Sequence, residues 1–114
     1  MRILYVEDNP LDADLVRRAL LRDLAEITVE LAPTLADARA ALAAPLRFDV
    51  VLLDLNLPDG RGLELLAEIR TRGLPLAVVA LTSQGDESVV MTALRAGADD
   101  YLAKTEHYPE RALA

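Results

Sequence analysis

The chain has 114 residues, enough for one domain with a radius of gyration of about 13 Å and a core of its own. Apolar residues make up 53%, which argues against disorder, while 19 acids against 12 bases and no basic run longer than Arg17-Arg18 argue against a nucleic-acid surface. There is no cysteine for a disulfide or thiolate site. No apolar stretch approaches the ~20 residues that span a bilayer. A strand is expected directly at the start with no secretory signal before it, so the expected location is the cytoplasm and no membrane partner is implied.

In chain order, short apolar runs alternate with stretches of helical period. The first strand is expected over residues 2–6 and ends at the acidic pair Glu7-Asp8. Asn9-Pro10 then opens a helix over 11–22. The second strand, 27–31, alternates in polarity and reads as an edge; Thr34 is placed to cap a helix over 35–44. The third strand, 49–53, is apolar up to Asp54 and is followed by the turn-forming Leu57-Pro58-Asp59-Gly60. A helix over 62–72 comes next, then an apolar strand over 76–81, a helix over 87–96 and a short strand over 100–103. Gly73 and Gly97 stand where helix ends favour a left-handed residue.

Repeated strand-helix units give parallel strands with right-handed crossovers. The expected fold is α/β, a doubly wound five-stranded parallel sheet in the flavodoxin-like order 2-1-3-4-5, with the alternating second strand at one edge. Its switch point lies between the first and third strands, where ligands bind beyond the carboxyl ends. Glu7, Asp8 and Asp54 fall there.

Carboxylates gathered without His or Cys suit a hard divalent cation, and Mg²⁺ takes one or two carboxylates with waters and phosphate oxygens. The Asn56 backbone carbonyl is a further candidate ligand. Thr82 and Lys104, just past the fourth and fifth strands, bring a hydroxyl and an ammonium to the same rim. Such donors around a carboxylate fit phosphoryl transfer to Asp54 as nucleophile. Any one of these residues alone fits a solvated surface group or a helix cap. All of them at the ends of their own strands is harder to assign to chance.

The combination of Glu7-Asp8, Asp54 with Asn56 and Leu57-Pro58-Asp59-Gly60, Thr82 and Lys104 resembles the receiver domain of two-component response regulators, over nearly the whole chain. The resemblance implies that Asp8, Asp54 and the Asn56 carbonyl bind Mg²⁺ directly, with Glu7 acting through water. It implies that Lys104 contacts the phosphoryl oxygens, that Thr82 moves towards them and that Tyr101 is the aromatic switch residue. The implied partners are a sensor histidine kinase or histidine phosphotransfer domain and an output domain or protein. A homodimer through the fourth helix and last strand, around Met91, Leu94 and Tyr101, is an open option. The domain is expected to catalyse only its own phosphorylation and dephosphorylation, not to be an enzyme on free substrates.

Three departures from the family pattern stand out. Thr105 replaces the usual proline after the lysine, which implies a trans Lys104–Thr105 bond; Ser83 replaces a smaller residue beside the threonine; and residues 109–114 leave a short or truncated final helix. The chain is thus expected to be one domain, 1–114, a fragment of a longer regulator or hybrid kinase, with a stand-alone shuttle as the other option. Asp59-Gly60 and Gly62 are read as serving the turn into the third helix, and the single histidine, His107, as exposed. The competing reading is a receiver-like interaction module that acts without phosphorylation. A flavodoxin-type electron carrier is disfavoured because Glu7-Asp8 would repel a flavin phosphate, and an aspartyl phosphohydrolase because the acid-x-acid pattern on the first strand is absent.

Overall fold

Leucine- and valine-rich runs form the five long strands: β1 (Arg2–Val6), β2 (Thr28–Ala32), β3 (Val50–Asp54), β6 (Ala77–Ser83) and β7 (Asp100–Lys104). Two further strands of two residues each, β4 (Asn56–Leu57) and β5 (Gly60–Arg61), pair antiparallel outside that sheet. The helices are α1 (Pro10–Asp23), α2 (Leu35–Ala41), α3 (Gly62–Thr71) and α4 (Glu87–Arg95). This computed structural model describes residues 1–23, 26–57, 59–83 and 87–104. Thr105, His107, the short final helix expected over 109–114, Asp86 and Pro58 lie outside the described residues, as do the side chains of Ser83 and Lys104.

The main sheet runs β2-β1-β3-β6-β7, all pairs parallel, which is the expected 2-1-3-4-5 arrangement with the small β4–β5 ladder interposed in the numbering. The alternating strand β2 is at one edge and β7 at the other, as their sequences predicted. The radius of gyration is 12.9 Å.

Strand alternation splits the core into two layers. Leu4, Val6, Val51, Leu53, Val78 and Ala80 face one side, where α2, α3 and α4 cover them through Leu35, Ala38, Leu65, Leu66, Ile69 and Ala93. Ile3, Tyr5, Leu52 and Leu81 face the other, against Ala13, Val16 and Leu20 of α1. Burial on both faces is why β1 and β3 are apolar almost without interruption. Among the described residues, no helix is long and apolar enough to cross a membrane.

Local chemistry sets the helix ends. Asn9 Oδ1 accepts from the Leu11 and Asp12 amides at 2.9 and 3.2 Å, with Pro10 at the first helical position, where its missing N–H removes no bond. Thr34 Oγ1 accepts from the Asp37 amide at 3.1 Å, the expected cap of α2. Helix α2 ends at Ala41, three residues short of the expectation, because Pro45 disfavours helix in the residue before it and Leu42 turns into the core. Gly73 and Gly97 have φ of 65° and 112°, as their positions predicted.

At the amino-terminal edge of the sheet, Arg70 of α3 joins three segments. It donates to the Gly97 and Leu76 carbonyls, both at 2.9 Å, and to Asp99 Oδ2 at 2.9 Å. That same carboxylate oxygen accepts from the Val78 amide at 2.8 Å, so β6 and the approach to β7 are tied together.

Candidate functional site

Parallel strands bring their carboxyl ends to one edge of the sheet, and the register sets which residues meet there. Val6 pairs with Leu53, and Asp54 pairs with Leu81, so Glu7 and Asp54 stand at neighbouring positions with Thr82 one residue beyond. Each strand is extended by one more bond: the Glu7 amide donates to the Ala32 carbonyl at 3.1 Å, and the Leu55 amide to the Leu81 carbonyl at 3.1 Å.

Glu7, Asp8 and Asp54 each offer a carboxylate oxygen, and the three atoms lie within 4.8 Å of one another. Glu7 is 3% exposed and Asp54 4%, whereas Asp8 is exposed at the mouth. With both buried groups ionised, their repulsion at that spacing is about 3–4 kcal/mol at an effective dielectric near 20. The Tyr5 hydroxyl lies 3.4 Å from Glu7 Oε1, and the Asn56 amide donates to Asp54 Oδ1 at 2.9 Å. Three oxygen donors converging with no sulfur or imidazole fit a hard divalent cation such as Mg²⁺ or Mn²⁺.

Thr82, 2% exposed, occupies the same edge. Thr82 pairs with Ala103 and Ser83 with Lys104, so the Lys104 backbone closes β7 at this rim. Tyr101 lies on the edge strand, 40% exposed, with Met91 and Leu94 of α4 also exposed.

The loop behind Asp54 is built on glycine. A Cβ on Gly62 would overlap the Asp54 carbonyl oxygen and lie 2.9 Å from Leu55 Cα, while the Gly62 amide donates to the Leu55 carbonyl at 3.0 Å. Gly60 has φ of 150°, and a Cβ there would come within 2.7 Å of Leu35 Cδ1.

Sequence reasoning missed the part played by Asp59. Its sequence context marks a turn residue, yet Oδ1 accepts from the Leu35 amide at 2.8 Å and Oδ2 from the Ala36 amide at 3.1 Å, so it grips the start of α2. Those bonds, Leu35 first, hold its carboxyl below the ordinary aspartate range, with nearby Arg39 adding to the effect. Arg39 is in turn raised by its hydrogen bond and ion pair with Glu68, at 3.0 Å. Nothing local marks Asp59 for this task, because its partners are 24 and 23 residues away.

A buried aspartate at the switch point of a flavodoxin-like sheet, with two further acids and a threonine at its edge, makes an acidic site suited to a divalent cation. The response regulator receiver domain model matches residues 3–112, and the chain belongs to that family, the receiver modules of two-component signalling. Transcriptional regulatory protein CutR of Streptomyces coelicolor is 38% identical over 112 residues, which cover 96% of this chain and 49% of CutR. The chain thus spans about half the length of the curated relatives it matches. Among solved structures, the Mn(2+)-bound form of response regulator Rcp1 is 31% identical with a TM-score of 0.83, covering 92% of this chain and 81% of that one. The phosphorylated cyanobacterial phytochrome response regulator RcpA is 30% identical with a TM-score of 0.85, covering 96% and 84%. Receiver domains are signalling modules, working with sensor kinases and output domains.

Proposed function

We propose that Asp54 is the phosphoacceptor and that Glu7, Asp8 and Asp54, with the Asn56 backbone carbonyl, form the Mg²⁺ site. The observation that carries this reading is the convergence of three carboxylate oxygens within 4.8 Å at the carboxyl ends of β1 and β3. Asp8 and Asp54 would hold the ion directly, with Glu7 acting through water. When bound, Mg²⁺ offsets the negative charge that accumulates between the acids and the phosphoryl oxygens.

An Asp54 carboxylate oxygen attacks the phosphorus of a partner's phosphohistidine in line. The P–N bond breaks as the O–P bond forms, the imidazole leaves, and the product is an acyl phosphate. The Asn56 amide, already on Asp54 Oδ1, helps to hold the carboxylate in place for that attack. The Lys104 ammonium pairs with the phosphoryl oxygens and the Thr82 hydroxyl donates to one of them. Hydrolysis by water at the same site returns the carboxylate.

Phosphorylation adds about one negative charge and new acceptor oxygens. A hydrogen bond from Thr82 to that charged group contributes about 1.5–3 kcal/mol, enough for allosteric coupling but short of the ~5.5 kcal/mol that a full two-state reversal needs. The output surface is α4 with β7, around Met91, Leu94 and Tyr101. Among the described residues of α4 only Ala93 is fully buried, so the helix is lightly anchored and its exposed face is free to signal. The partners are a sensor histidine kinase or phosphotransfer domain and an output domain or protein, with a second copy on the α4–β7 face as another occupant. A cytoplasmic location fits this reading.

A module that acts without phosphorylation is disfavoured, because it gives no reason to hold two buried acids beside a third. The test is incubation with acetyl phosphate and Mg²⁺, read by intact mass. The wild-type chain is expected to gain one phosphoryl group and Asp54→Asn none; equal labelling of both removes the assignment.

A further inference from the structure

We propose that Asp59 is a positioning residue for the acceptor site: by gripping α2, it fixes the ladder that carries Asn56 beside Asp54. The inference rests on the reading of Asp54 as the acceptor and adds a residue outside the acid cluster.

The first four amides of a helix have no partner within it. In α2 the amides of Leu35, Ala36 and Asp37 are all taken. Asp59 Oδ1 and Oδ2 accept from Leu35 and Ala36 at 2.8 and 3.1 Å, Thr34 Oγ1 accepts from Asp37 at 3.1 Å, and the Thr34 carbonyl accepts the first bond within the helix, from Ala38 at 3.0 Å. Thr34 is the helix's own cap, and Asp59 adds two bonds from 24 and 23 residues along the chain, to the Leu35 and Ala36 amides. Only a carboxylate presents two acceptor oxygens for two adjacent amides; an asparagine presents one.

The fixed partner is the helix and the positioned one is the loop. Leu35 and Ala38 are both fully buried in the core, so α2 is anchored independently of Asp59. The loop consists of the β4–β5 ladder, in which Asn56 pairs with Arg61 and Leu57 with Gly60, and Asp59 stands in the turn between those strands. At its base the Asn56 amide holds Asp54 Oδ1 and Gly62 packs on Leu55. At its far end Asp59 bonds to α2, Leu35 Cδ1 lies against Gly60, and Leu57 packs against the core. A shift of Asp59 therefore moves the strand that carries Asn56, and with it both the amide on Asp54 and the carbonyl proposed as a metal ligand.

The test compares Asp59→Ala, Asp59→Asn and Thr34→Ala in the whole chain. Amide hydrogen exchange of Asn56 is measured in metal-free protein, and Mg²⁺ affinity by calorimetry. Asp59→Ala is expected to speed Asn56 exchange and weaken Mg²⁺ by about tenfold, the scale for losing a group that orients a ligand. Asp59→Asn, with one acceptor oxygen, is expected to fall between Asp59→Ala and wild type. Thr34→Ala, which removes the helix's own cap, is expected to lower the melting temperature yet leave Asn56 exchange and Mg²⁺ affinity as in wild type. Wild-type exchange and affinity in both Asp59 variants would overturn the proposal, as would equal weakening by Thr34→Ala, since the effect would then be helix stability alone. Should wild-type protein bind no Mg²⁺ and take no label at Asp54, the acceptor reading fails, while the exchange comparison still decides whether Asp59 holds the loop.

Discussion

The backbone carbonyl of Asp54 occupies the space in which a side chain on residue 62 would begin, so Gly62 sets the direction in which the chain leaves Asp54. The contact is with backbone, which cannot swing aside as a long side chain can. Gly62→Ala is expected to destabilise the fold by about 1–3 kcal/mol, the scale of overpacking in a close-packed site. Urea unfolding checks the stability, and acetyl phosphate labelling, which should slow in the same variant, checks that the strain reaches Asp54.

Crowding of buried Glu7 and Asp54 predicts opposite effects of one substitution with and without metal. Without Mg²⁺, Asp54→Asn should raise the melting temperature, because one of the repelling charges is gone. With Mg²⁺ at about a hundred times its dissociation constant, wild-type protein should gain about 2.7 kcal/mol by linkage, and the variant much less. Thermal melts of both proteins across a Mg²⁺ titration decide it; a variant that gains as much as wild type places the ion elsewhere.

Acid sensitivity follows from Asp59. Its carboxyl is held below the ordinary value by the Leu35 and Ala36 amides, so the folded state favours the charged form. The resulting stability is present above the unfolded aspartate value of about 3.9 and is lost as pH falls through the lower folded value. In Asp59→Asn that contribution is absent, so the stability difference between wild type and variant should shrink as pH drops below about 4. Denaturant midpoints measured from pH 6 downward test this, and a constant difference would contradict it.

Arg70 predicts damage of a different kind. Its guanidinium donates to two carbonyls and to Asp99, and the side chain is only 29% exposed, so truncation leaves part-buried acceptors without donors. Arg70→Ala is expected to destabilise by about 2–4 kcal/mol, while Mg²⁺ affinity stays unchanged because the clamp lies at the opposite edge of the sheet. Unfolding and calorimetry on the same sample separate the two.

Thr82→Ala should still be phosphorylated but should switch less. The proposed Thr82 hydrogen bond to the acyl phosphate would contribute about 1.5–3 kcal/mol to the coupling, so without it hydrogen exchange in α4 should change less on phosphorylation than in wild type. An unaltered response in α4 would remove Thr82 from the switch.

The sequence alone determined the strand order and the edge position of β2, because alternation and unbroken apolarity report how many faces a strand buries. It determined the candidate acids too, since each sits at the carboxyl end of a strand and parallel strands share one carboxyl edge. Caps were legible at Asn9 and Thr34, whose partners are two or three residues away. Only the tertiary structure decided that Glu7, Asp8 and Asp54 come within 4.8 Å, that Gly62 lies on the Asp54 carbonyl, that Asp59 holds α2 and that Arg70 spans three segments. Those contacts join residues far apart in the chain, and no local propensity encodes them. They follow from the twist and register of the sheet and from the packing of helices on it, which exist only once the whole chain has closed.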